Sequence, residues 1–542
     1  MPASTDVVII GNGPSSMILS YILHGHIPFY DPATPHPDPL LHAKLLKQPQ
    51  LLGLDIDLLT EHFAASRFSY STQALPVNVL LDTLVRPNGD TDDAEKDSNI
   101  RWRYMPEKAV PHIVLGSSSQ PGGQWTDNPT DASWEIQTLS YAGMLSLPGY
   151  TFSDHHLKVH GTPLPSFTRP TRREVTDYLA AYPAAVGIDD RIHCGETVGK
   201  ISREGDGFYV GSHGIACRHL VLASGIFSEL IPPRPLLKPL AALPKPPVLK
   251  DSAPLLVIGS GFTAADIIIS TPKDQRIIHI FKWQPETRPS PLRSCHRQAY
   301  PEYAGMYRLM KRAATAEEHP GQRPRNRSTP SSSFLESREW TNLYEGLPNT
   351  VVTDVDVSND TATVTFCRDN GETFSRRVSG LAYAVGRRGS LDYLDDPLQS
   401  EIVTPSDHND GTMMVSSQTL RAKAFEDLEV TKNVFIVGSL TGDSLVRFAY
   451  GGCVYSAGKL VASRPKDGDC ASDFSSSRTL GKRTANGTPV LKGIEGHNEI
   501  PQLIGNGHPL DRRKPSGKLG VRTGAAKPER TSWWSSIIRI FN

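Results

Sequence analysis

Two glycine-rich turns carry most of the chemistry available to this sequence. The first is Asp6-Val-Val-Ile-Ile-Gly11-Asn-Gly13-Pro-Ser-Ser16. A strand ending at Ile10 and a helix beginning near Pro14 would place Gly11 in a tight turn. Gly13 would then let the backbone approach a pyrophosphate, and the helix N-terminus would offer free N–H groups and its positive dipole end. Pro14 and Ser15 open that helix. Ser16 stands where a third glycine is usual and is small enough to keep helix and strand close. Asp31, at the end of the strand-like run Ile27–Asp31 and about twenty positions after Gly11, is expected to accept from a ribose hydroxyl.

The second turn is Leu255-Leu-Val-Ile-Gly259-Ser-Gly261-Phe-Thr263-Ala264, with alanine at the third small position. The following strand, Ile277–Phe281, ends at Lys282 rather than at a carboxylate. A cation there can pair with a 2′-phosphate, so Lys282, with Arg288 in support, favours NADP over NAD. As a solvated surface lysine it would confer no such preference. Two such turns in one chain suit a fixed redox carrier and an exchangeable hydride donor. We expect FAD at the first and NADPH at the second.

Return strands should complete each unit. His219-Leu-Val-Leu-Ala-Ser-Gly225 would close the first, and Gly380-Leu-Ala-Tyr-Ala-Val-Gly386-Arg387 the second. The strand in Asn433–Gly438 leads to Gly442 and Asp443. Asp443 is placed to bind a ribityl hydroxyl, and a helix starting there would aim its N-terminus at the flavin pyrimidine. Gly442-Asp443 would serve equally as a helix N-cap.

The elements that position these residues are short apolar runs followed by glycine: Val7–Ile10, Leu220–Ala223, Leu255–Ile258, Leu381–Val385 and Val434–Val437. They read as buried parallel strands. The expected class is α/β, with two Rossmann-like dinucleotide-binding domains, the NADPH domain inserted in the FAD domain, and a disordered C-terminal tail. The boundaries are 1–228 and 390–462 for the FAD domain, 229–389 for the NADPH domain and 463–542 for the tail. Residues 88–99 read as an acidic surface loop, 232–247 as a stiff proline-rich connector, and 317–333 as a disordered insertion.

Lys plus Arg and Asp plus Glu each total 57. That balance offers no electrostatic reason to expect nucleic acid. The six cysteines (194, 217, 295, 367, 453 and 470) form no C-x-x-C or C-x4-C pair. They read as free thiols of a reducing compartment, against both zinc sites and a flavin disulfide reductase. Without a signal peptide or an apolar run of spanning length, the expectation is cytoplasmic. The tail is rich in Lys and Arg. Its Arg512-Arg513-Lys514 would permit nuclear access, or be a solvated run. Trp533, Trp534, Ile537, Ile538 and Phe541 would share one face of a short helix, a weak anchor for a membrane surface or a protein partner. His155 and His156 read as surface histidines, and no metal site is expected.

These residues together resemble the flavin-containing monooxygenase superfamily. Gly122-Gly123-Gln124-Trp125 looks like its G-G-x-W flavin segment, Thr168–Leu179 like the helix after its substrate-side loop, and Ala223-Ser-Gly225-Ile-Phe227 like its A-T-G-x-F linker. Further segments resemble the oxidative stress-induced growth inhibitor family: Pro35–Leu41, Asp82-Thr-Leu-Val-Arg-Pro87, Pro111-His-Ile-Val-Leu-Gly116, Tyr300–Tyr303 and Gly442-Asp-Ser-Leu-Val-Arg-Phe448. The likeness implies FAD with NADPH, oxygen activated at flavin C4a as a hydroperoxide, a small nucleophilic substrate, and a role in growth inhibition or cell death. The superfamily's F-x-G-x-x-x-H motif is absent, which leaves two alternatives open. One is a flavin-bearing regulatory protein with little catalysis, the other an NADPH oxidase that releases peroxide.

Overall fold

The computed structural model describes residues 3–464 apart from 67, 69, 88–97, 131, 245–252, 319–332 and 404–413. The tail reading from 465 onward, with its basic run and C-terminal helix, lies outside the described residues. So does nearly all of the 88–99 loop and of the 317–333 insertion.

Each apolar run becomes a strand because it can be buried on both faces. Val7, Val8 and Ile9 are wholly buried, as are Leu220, Val221 and Leu222. Ser4–Ile10 lies at the centre of an eight-stranded sheet, parallel to Ile215–Leu222 on one side and to His112–Gly116 on the other. Val434–Ile436 continues the parallel pairing beyond Leu220–Leu222, and Ile192–Cys194 beyond Val114–Gly116. Antiparallel strands Ile201–Glu204 and Gly207–Val210 attach at the start of Ile215–Leu222.

The second sheet is wholly parallel, in the order Tyr344–Pro348, Ile277–Phe281, Leu255–Ile258, Gly380–Tyr383. A three-stranded antiparallel sheet, Val351–Ser358, Thr361–Cys367 and Thr373–Val378, packs its Val364 and Phe366 against Leu256 and Ile278. The chain passes between the parallel sheets through Glu229–Leu230 and Arg387–Ser390, which pair antiparallel. The α/β class is as the sequence predicts.

Two elements differ from expectation. The proline-rich stretch is not simply an extended connector. Pro235–Leu237 forms a 3-10 turn running into the helix Lys238–Ala241, whose Leu240 is wholly buried beside Leu256. The run near Asp31 forms a strand, His26–Tyr30, but outside the main sheet. It pairs antiparallel with Ile100–Tyr104 in a separate two-stranded sheet. Among the described residues no helix is long and apolar enough to cross a membrane.

Candidate functional site

A cavity of about 460 Å³ opens at the C-terminal ends of the central strands of the first sheet. In an open parallel sheet this is where ligands bind. One wall is Gly11–Ser15, another is Gly123–Trp125, and a third is Ala223–Gly225. Gly438, Ser439 and the segment Asp443–Val446 close the far side.

The helix Pro14–Leu23 begins there, with Gly13 as its N-cap and no side chain capping it. Its first N–H groups therefore remain available to an anion. The two fingerprint glycines have different causes. Gly11 has φ +112°, and a Cβ on it would stand 2.5 Å from the Ala223 carbonyl oxygen. The fold itself demands glycine there. Gly13 has an ordinary φ of −81°, and a Cβ on it would meet nothing within 4 Å. It would project into the open cavity.

The second fingerprint repeats the contrast. A Cβ on Gly259 would lie 2.3 Å from the Ala384 carbonyl oxygen, whereas one on Gly261 would reach only Pro291 Cγ, at 4.0 Å. The helix Phe262–Ser270, carrying Thr263 and buried Ala264, also starts without a side-chain cap. Lys282 directly follows the neighbouring strand, and its backbone N–H donates to Ser260 Oγ at 2.9 Å. Its side chain and that of Arg288 are exposed. The structure thus sets Lys282 beside the second turn, with Arg288 on the loop that returns to Ser260 through Ser290.

The structure does not bring every predicted residue to the cavity. Asp31 is absent from its walls. The Asp31 carboxylate is held by Arg101 at 2.6 Å and by the Ala33 N–H, and these contacts lower its pKa, with the Ala33 bond the largest cause. The strand beside Ser4–Ile10 at the cavity is His112–Gly116, so Gly116 occupies the position expected of the ribose carboxylate. A side chain would have to displace Asn12: a Cβ on Gly116 would overlap Asn12 Cγ at 2.3 Å. Asn12, missed in the motif reading, donates through Nδ2 to the carbonyls of Ser118 and Gln120 at 3.1 and 3.3 Å. It ties the first turn to the one carrying Gly123. Its place between the two fingerprint glycines was the available signal. The cavity wall instead offers the polar side chains of Asp127 and Glu196, with Ser117 and Ser118.

Asp443 also departs from expectation. It borders the cavity, but both carboxylate oxygens are engaged by protein. Oδ2 accepts from Leu75 N–H at 2.8 Å and Asn78 Nδ2 at 2.7 Å, and Oδ1 from Arg421 Nη1 at 2.7 Å. No helix starts there. Gly442 is left-handed at φ +92°, and the helix Ala449–Ala462 begins six residues on, with Val446 and Ala449 in the wall. A second buried cluster lies alongside. Asp82 accepts from Arg86 Nη1 at 3.1 Å and from Arg447 Nε at 2.9 Å. The segments Asp82–Pro87 and Gly442–Phe448, remote in sequence, are therefore packed together through charge.

The remaining predicted residues are placed as follows. Ser16 is buried, with its hydroxyl unpartnered. Gly122 turns at φ +131° just before the wall residues Gly123, Gln124 and Trp125. Gly386 and Arg387 fall where the chain crosses back from the second sheet, outside the cavity wall. Arg387 Nε is buried without a partner, and burial lowers the guanidinium pKa.

Among the described residues the cavity wall holds Asp127, Glu196, Glu229, Asp392 and Asp443 but no Lys, Arg, His or Cys. An anionic ligand would have to be held by backbone N–H groups and the helix dipole. Ser444 Oγ, in the wall, is buried and takes no hydrogen bond. An open cradle at Gly13, an uncapped helix and an orphaned hydroxyl fit a dinucleotide.

Fold and cavity together define an α/β protein with two Rossmann-type units, each presenting an uncapped helix behind a glycine turn. No protein-family model matches the chain. It is similar to oxidative stress-induced growth inhibitor 1 of Mus musculus, at 27% identity over 493 residues, covering 84% of this chain and 95% of that protein. It is also similar to human oxidative stress-induced growth inhibitor 2, at 24% identity over 511 residues, covering 85% and 94%. These relatives bear out the resemblance read from the segments above. Among solved structures, a flavin monooxygenase from Stenotrophomonas maltophilia aligns with TM-score 0.44 and 16% identity, covering 85% of this chain and 98% of that one. The bacillithiol disulfide reductase of Staphylococcus aureus aligns with TM-score 0.46 and 12% identity, covering 85% and 99%.

Proposed function

We propose that this chain is an FAD-dependent oxidoreductase of monooxygenase type that draws its electrons from NADPH. On this reading residues 1–228 and 390–462 form the FAD domain and 229–389 the NADPH domain. The observation that carries it is the paired contrast at the two turns, with Gly11 and Gly259 closed off by backbone and Gly13 and Gly261 open. The first helix N-terminus would hold the FAD pyrophosphate and the second that of NADPH, with Lys282 on the 2′-phosphate. Bound FAD would supply the redox chemistry, passing electrons from NADPH to O2. The chain's own share is to bind, to orient and to exclude water. Trp125 and Tyr393 would shield the site from solvent. The Tyr393 hydroxyl is held against Ser224 Oγ at 2.9 Å, and burial raises its pKa, so it stays protonated. The substrate would be a small soft nucleophile. The names of the relatives add a role in restraining growth under oxidative stress.

The stretch between the first return strand and the second turn favours a second reading. It lacks F-x-G-x-x-x-H, so NADP would be less firmly placed over the flavin and more oxygen would leave as peroxide. Gly13→Val tests the binding assignment. The variant should fold, because among the described residues nothing lies within 4 Å of the new Cβ, yet purify colourless. Gly11→Val should instead fail to fold. Stoichiometric FAD in folded Gly13→Val would sink the assignment. Product analysis with NADPH and a thioether probe then separates the two chemistries: sulfoxide supports oxygenation, and quantitative peroxide supports the oxidase.

A further inference from the structure

A site of another kind lies outside the cavity. The helix Phe152–His160 carries His156 and His160, four residues apart and therefore on one face. Their rings lie 4.4 Å apart between centroids. Glu174, in the first turn of the helix Arg172–Val186, faces the same pair. One ligand atom from each of the three lies within 4.8 Å of the others. Tetrahedral ligands of a zinc ion stand ~3.3 Å apart. Small rotations of His156 and of the exposed His160 would close the difference.

Glu174 is already oriented. Its Oε2 accepts from Thr171 N–H at 2.6 Å and Thr171 Oγ1 at 2.9 Å, completing a capping box. Among the described residues, Oε1 takes no hydrogen bond, and neither do the ring nitrogens of His156 and His160. Support of a ligating carboxylate by a second layer of hydrogen bonds is a usual property of metal sites. Two imidazoles and a carboxylate suit a first-row divalent ion, and three protein ligands leave one position for water.

We propose that His156, His160 and Glu174 form a zinc site that joins these two helices across residues 161–171. The linked segment carries Arg169, which bonds Glu302 at 2.6 Å and the Ala299 carbonyl at 2.6 Å on the far side of the passage between sheets. A bound ion would stiffen that segment. The site does not depend on the flavin reading, because none of its residues borders the cavity.

The test uses tag-free, full-length protein stripped with a chelator and titrated with Zn2+ against a chromophoric competitor. One equivalent should bind more tightly than any other. His160→Ala, at an exposed position, should weaken it at least tenfold. Glu174→Gln, which keeps an acceptor for the capping box but loses the charge, should do the same. His155→Ala should leave it unchanged, since His155 pairs instead with the Tyr150 hydroxyl at 3.2 Å. Binding should also weaken on acidification, because imidazole must be neutral to ligate. A tightest equivalent that survives both His160→Ala and Glu174→Gln would overturn the proposal, as would the absence of any preferred equivalent.

Discussion

Replacing Asp443 by Asn separates two roles for one carboxylate. If it serves the ligand, the variant should lose FAD affinity while the flavin-free protein keeps its stability. The structure argues otherwise. The side chain is 2% exposed and its partner Arg421 is 12% exposed. Removing one charge of such a pair strands the other in a poorly hydrated place, which costs ~3–5 kcal/mol. Arg421 would still donate to the Thr441 carbonyl at 2.8 Å and to that of Gln73. The loss should therefore lie near the lower end, ~3 kcal/mol. It should appear in urea unfolding of flavin-free protein, as a lower midpoint. Arg421→Met combined with Asp443→Asn strands no charge, so the pair should cost less than the sum of the single changes, by at least ~1 kcal/mol. FAD affinity should fall as well, because Leu75 N–H and Asn78 hold the segment that forms the cavity wall through this same carboxylate. An unchanged urea midpoint for flavin-free Asp443→Asn, together with weak FAD binding, would refute the reasoning and restore the ribityl role.

Three further outcomes are expected. Lys282→Ala should erase most of the preference of NADPH over NADH in flavin reduction, a change of ~1–3 kcal/mol; equal use of both nucleotides by the parent would contradict the assignment. Burial raises the pKa of Asp266 from 3.8 to about 6, partly offset by the Tyr303 hydroxyl and Arg172. The folded state then holds the extra proton between those values, so this group's contribution falls as pH rises through the window. Asp266→Asn should stabilise the protein above pH 6 by at most ~3 kcal/mol, with the gain shrinking toward pH 4; a gain independent of pH would exclude this cause. His112 and His279 are pushed by burial down to about 4, each neutral ring donating from one nitrogen and accepting at the other. The unfolded chain binds more protons between pH 6.5 and 4, so stability present above pH 6.5 should be lost on acidification. The scale is ~3 kcal/mol per histidine. Two such histidines outweigh Asp266, so melting temperatures that stay flat from pH 7 to 4.5 would contradict the prediction.

The sequence by itself determined the strands and turns that make the two units. Val7–Ile10 and Leu255–Ile258 were legible because a strand buried on both faces is a continuous apolar run, and because the glycine turn after it has few other uses. The same locality made the open turns at Gly13 and Gly261 legible, since each is built from adjacent residues. What only the tertiary structure decided is which elements become neighbours. His26–Tyr30 and His112–Gly116 look alike as isolated strands, yet only the second lies beside Ser4–Ile10. Asp31 lies away from the cavity wall for that reason. Asp443 resembled a ligand residue until Leu75 and Asn78, 368 and 365 positions away, took its oxygens. His156, His160 and Glu174 meet only because two helices pack side by side. Local pattern reports how a segment will be buried. The partner it is buried against is chosen by contacts between distant residues, each weak alone, whose sum depends on the whole chain.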